Sequence, residues 1–125
     1  MESEAVLAVV KRAEQHIDEI IGSDILELEI NQMTNSIKKE KVKNLYEIIK
    51  TNVKNTVEIK KISEEILKES TIRTYDSLHI ASAEEGKADM FLTTDDKLLK
   101  ACTRLEMKVR VLNPLKYFLE VMDYE

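Results

Sequence analysis

The sequence is poor in punctuation and in soft metal ligands: 125 residues include one cysteine, one proline, two glycines and no tryptophan. Cys102 alone cannot close an internal disulfide, and with only two histidines it cannot complete a four-ligand zinc site. Any metal must therefore be a hard ion held by carboxylates. So few glycines and prolines exclude collagen-like, low-complexity and Gly/Ser-linker designs. Long hydrophobic runs are also lacking. The longest, residues 5–10, falls far short of the roughly 20 apolar residues that a bilayer span needs, and no charged-then-apolar leader precedes it. A cytoplasmic chain with no membrane partner is expected. What is present, 43% hydrophobic and 34% charged residues, is enough for a single domain over residues 1–125.

The net charge of −5 argues against a nucleic-acid partner until its distribution is read. Residues 38–61 carry eight lysines, among them Lys38 and Lys39, against Glu40, Glu47 and Glu58. A basic stretch thus faces an acidic remainder. It is either a solvated helix face or a set of phosphate contacts.

Hydrophobic periodicity alternates between helix and strand. Helices are expected over residues 3–16, 24–33, 38–52, 63–69, 74–85, 95–105 and from Pro114 onward, with Ser23 or Asp24, Ser63, Thr74 and Thr94 as N-caps and Gly86 as a stop. Short apolar runs at 18–22, 56–60, 90–93 and 109–112 read as strands. Strands separated by helices imply a three-layer α/β/α domain with a mostly parallel central sheet.

Three carboxylates fall on faces where acids are costly. At 100° per residue, with Ile25 at zero, Glu29 lies at about 40°, inside the apolar stripe of its helix, whereas Glu27 lies on the polar back at about 200°. Asp95 shares the stripe of Leu98 and Cys102, and Asp76 stands on the arc of Ile80 and Ala83. An ionised carboxylate in such surroundings must be paired, hydrogen-bonded or bound to a cation. First-turn dipole effects account equally well for Asp76 and Asp95, and a buried ion pair with Arg73 or Arg104 for Glu29. A shared divalent ion accounts for all three. Glu29 and Asp95 both follow strand carboxyl ends, the edge where open parallel sheets bind ligands.

The segments SDILELEI at 23–30, DSLHIASA at 76–83 and FLTTDDKLL at 91–99 resemble the second, third and fourth acidic motifs of PIN-domain nucleases, and VRVLNPL at 109–115 is similar to that family's closing strand and helix. The resemblance spans about residues 5–121. It implies that Glu29, Asp76 and Asp95 are catalytic metal-binding acids, with Asp96 auxiliary, and that the cofactor is Mg²⁺ or Mn²⁺. It also implies an endoribonuclease acting on single-stranded RNA, often the toxin of a VapC-type toxin–antitoxin pair, with an antitoxin partner and a homodimeric state. The family's opening strand, central in the sheet and ending in an aspartate, has no counterpart here. A PIN-like fold that no longer cuts and serves RNA binding or dimerisation is the alternative. Without that strand, the strands that would flank it are expected to expose unpaired backbone edges.

Four further side chains have double readings. His79, one turn after Asp76, is either a phosphate contact or a satisfied half-buried histidine. Thr93 and Thr94 either hydrogen-bond substrate phosphate or close a strand and cap a helix. Tyr46 is either a stacking surface for a base or a core residue. Cys102, on a core stripe, reads as packing.

Overall fold

A computed structural model describes residues 2–123. In chain order the elements are α1 (Glu2–Glu14), β1 (Ile21–Ser23), α2 (Asp24–Asn31), α3 (Ser36–Leu45), a 3₁₀ turn (Tyr46–Ile48) and β2 (Thr51–Val53). There follow α4 (Val57–Glu69), α5 (Thr74–Glu85), β3 (Met90–Leu92), α6 (Asp96–Cys102), β4 (Arg110–Leu112) and α7 (Pro114–Asp123). The fold is mixed α/β and mostly helical. Every strand pairing is parallel, as expected, but the strands form two separate pairs, β1 with β2 and β3 with β4. No continuous sheet joins them among the described residues. Each strand has three residues, so neither pair is stable alone, and helices must hold them.

The helix that does so is α5, which touches β1, β2 and β3 and packs along α4. Small and apolar side chains in its middle turns allow this. Ile80 and Ala81 are fully buried, and so is Ser77. Ser77 donates its hydroxyl proton to the Thr74 carbonyl at 2.6 Å, so the 2.6 Å contact with Ser63 Oγ has Ser63 as donor. Two buried hydroxyls are thereby satisfied at the α4–α5 interface. The adjoining core joins Ile66, Ile72, Ile80, Leu98, Cys102 and Val109.

Several boundaries differ from expectation. The alternation TVEIK at 56–60 belongs to a helix, because Thr56 accepts from the Ile59 amide and caps α4, and Ile59, Ile62 and Ile66 then recur at helical spacing. Ser63 is consequently mid-helix, not a cap. The helix expected over 38–52 ends at Leu45, turns, and supplies β2 instead. Arg73, not Thr74, stands at the α5 N-cap and makes no side-chain cap bond. Ser23 caps α2 by accepting from Leu26 N at 3.0 Å, as expected.

Tertiary ties fasten the ends. Asp18 accepts from Arg12 Nε and from the Tyr117 hydroxyl, both at 2.8 Å, joining the end of α1 to α7. Burial works to raise the Asp18 pKa, but the bonds from Arg12 and Tyr117 outweigh it and hold the carboxyl below its ordinary value. The accessible surface, 8899 Å², exceeds the about 6,800 Å² of a typical monomer of this mass. Leu7, Ile37, Val57 and Leu119 are among the exposed apolar side chains.

Two outcomes are expected. A Cβ at Gly86 would lie 2.5 Å from Val53 Cγ2, so Gly86→Ala should destabilise by about 1–3 kcal/mol in chemical denaturation, because a short β-branched side chain in β2 has little room to yield. Asp18 has a depressed folded-state pKa, so its contribution is present above the unfolded-state pKa and lost as pH falls through the folded one. Asp18→Asn should therefore lower stability near neutral pH by about 1–2 kcal/mol and flatten the acid limb of a stability–pH profile. An unchanged limb would show that Asp18 is not the titrating tie.

Candidate functional site

The strand-to-helix junctions β1–α2 and β3–α6 place the acidic segments, and α5 runs between the two strand pairs. Glu29, on α2, is not in an apolar interior. Its side chain is 50% exposed, and its Oε2 lies 2.6 Å from Nε2 of His79 on α5. The expectation of a buried partner, Arg73 or Arg104, is thus corrected: the stripe of α2 is wide, and Glu29 sits on the margin that meets α5. One helical turn on, the Tyr75 hydroxyl donates to Gln32 Oε1 at 2.8 Å. Glu29 and Gln32 advance along α2 while their partners His79 and Tyr75 recede along α5, so the helices run in opposite directions where they touch. His79 is mostly buried, with its Nε2 engaged by Glu29.

Asp95 is exposed and lies one residue before α6, not within its apolar stripe. Its Oδ1 accepts from Lys97 N at 3.0 Å and Leu98 N at 3.2 Å, an N-cap. The physical reason is local: Asp is as good a cap as Thr, and its carboxylate suits the helix dipole. The cap role expected of Thr94 is therefore taken by its neighbour, and Thr94 is exposed. Thr93 closes the β3–β4 pair through its amide, 3.0 Å from the Leu112 carbonyl, and its Oγ1 accepts from Asp95 N at 3.1 Å. Asp96 is exposed in the first turn of α6.

Asp76 is the carboxylate that most nearly keeps its expected setting. It is half-buried in the first turn of α5 and, among the described residues, engages no hydrogen bond or ion pair. Its charge reaches Cys102, whose thiol is pushed up first by burial and then by Asp76. A thiol so placed is packed, not nucleophilic.

These acids were expected to share Mg²⁺ or Mn²⁺. Among the described residues, no group of three or more His, Cys, Asp or Glu side chains is placed to hold a metal ion. One Asp95 oxygen is committed to its cap and one Glu29 oxygen to His79. No family model, curated protein or solved structure matches the chain.

The lysines lie elsewhere. On α3, no residue is buried, and Asn35 caps the helix by accepting from Ile37 N and Lys38 N, both at 3.1 Å. Lys39 Nζ reaches the Asn31 carbonyl at 3.2 Å, whereas the side chains of Lys38, Lys41 and Lys43 make no hydrogen bond or ion pair among the described residues. Asp24, offered by the sequence as the alternative cap of α2, leaves that role to Ser23 and accepts from Asn52 Nδ2 at 2.8 Å and Asn55 N at 2.9 Å. The Asn55 amide, then the Asn52 amide, holds its pKa below the ordinary value. A carboxylate at a strand end followed by asparagines thirty residues on leaves no local signal in the sequence.

Asp95→Ala should lower stability by about 0.5–2 kcal/mol while Asp95→Asn leaves it nearly unchanged, as measured by urea denaturation. Equal losses in both variants would show that Asp95 does more than cap α6.

Proposed function

We propose that this chain is a PIN-like module that binds single-stranded RNA through the lysine face of α3 and does not by itself cleave it. The carrying observation is α3 itself. A ten-residue, side-chain-capped helix that buries nothing contributes little to the core, and Lys38, Lys39 and Lys41 stand on it with one weak backbone contact between them. Such a face suits phosphate contacts, which give affinity without sequence preference. The two parallel strand pairs are, on this reading, parts of the three-layer arrangement that the resemblance implies. The surface in excess of a typical monomer's leaves room for a homodimer or an antitoxin-like protein partner.

A second reading, the metal-dependent endoribonuclease, is favoured by the half-buried, unengaged carboxylate of Asp76 beside the Glu29–His79 pair on α5. It requires Mg²⁺ or Mn²⁺ and at least one further ligand to gather Glu29, Asp76 and Asp95.

Fluorescence anisotropy with labelled single-stranded RNA should show binding that weakens with salt. Replacing Lys38, Lys39 and Lys41 together with glutamate should weaken it at least tenfold and reduce the slope of log K against log salt by about 2. No binding, or binding insensitive to the triple change, overturns the proposal. RNA cleavage in Mn²⁺ that disappears in both Asp76→Ala and Asp95→Ala would replace it with the second reading.

A further inference from the structure

A cleft of about 410 Å³ opens between α2, the 3₁₀ turn and β2, on the side of α2 that carries Glu27. Its apolar wall is Ile30, Ile49 and the ring of Tyr46. The ring is held from two directions. Its hydroxyl donates to the Ser23 carbonyl at 3.2 Å, and the absence of a side chain at Gly22 lets it lie against β1. A Cβ at Gly22 would stand 3.0 Å from Ile49 Cγ2 and 3.4 Å from Tyr46 Cε1. The glycine therefore permits the close approach that brings both side chains to the cleft. Around this wall stand Lys43, Lys50 and Glu27, and none of the three side chains makes a hydrogen bond or ion pair among the described residues.

The combination is specific in kind. A fixed aromatic and aliphatic wall accepts a planar apolar body, two free ammonium groups accept an anion, and a free carboxylate accepts N–H donors. The volume lies within the range of small-molecule sites that use a few polar groups for orientation. A nucleobase joined to a phosphate has all three features, and among bases guanine offers a carboxylate a row of N–H donors on its pairing edge. We propose that this cleft binds a guanosine 5′-phosphate unit, with the base against Tyr46 and Ile49, the phosphate on Lys43 and Lys50, and Glu27 reading the base edge. The unit is either a free mononucleotide or one nucleotide of a bound RNA strand. Only the second source rests on the RNA reading above.

Calorimetric titration of the full chain with GMP, AMP, inorganic phosphate and a short guanine-containing single-stranded RNA tests it. GMP should bind saturably at one site per chain, more tightly than AMP and far more tightly than phosphate. Lys43→Ala with Lys50→Ala should weaken GMP at least tenfold. Both side chains are exposed, so circular dichroism should report an intact fold. Glu27→Gln should erase most of the preference for GMP over AMP. No saturable GMP binding, GMP binding unchanged in the double variant, or phosphate binding as tight as GMP overturns the proposal. GMP binding without RNA binding supports the cleft with a free nucleotide as its ligand, and removes the RNA reading. RNA binding that survives both lysine changes, without GMP binding, removes the cleft and leaves the RNA reading standing.

Discussion

Everything in this molecule hangs on the burial of α5. Two three-residue parallel strand pairs have no means of persisting in water alone, and no strand links them among the described residues. One helix touches both pairs and also packs along α4, so the desolvation of Ile80, Ala81 and Ser77 sustains the whole arrangement. The polar atoms within that interface are satisfied through the Ser63–Ser77–Thr74 relay, without which the close contact would cost more than it contributes. The same helix brings His79 to Glu29 and Tyr75 to Gln32, so the Glu29–His79 contact is a by-product of core packing.

Where the chain's signals were local, they were legible. Ser23 capping α2, Gly86 ending α5 and Pro114 opening α7 each act within a turn of their own position, and each stands in the structure. Thr56 shows where period fails: a five-residue alternation fits a strand, yet the same isoleucines fit a helix once the threonine caps it. Parallel pairing was legible from the strand–helix order. The division into two pairs was not legible, because which backbone groups face each other is a long-range matter.

The candidate site was less legible. Helical-wheel angles measure direction around one helix and carry no information on what lies opposite. Glu29 at the margin of its stripe meets a histidine and solvent, and Asp95 moves out of its stripe because the helix starts one residue later than the pattern suggested. Glu27, an ordinary surface acid by the same reasoning, lines the cleft beside Tyr46. That cleft depends on Gly22, Tyr46 and Ile49 meeting across separate elements, which no spacing in the sequence announces.

The end of α5 divides two duties that a single glycine commonly performs. Gly86 has an ordinary helical φ of −77°, and its missing side chain is needed for Val53; Lys87, next along, takes the left-handed φ of 56°. The position that evolution would find easiest to relax is therefore the lysine, since asparagine or glycine there would turn the same corner with less torsional penalty. The glycine, by contrast, takes no larger side chain without displacing Val53. A sequence variant exchanging the two residues would keep the composition of the turn and lose its shape.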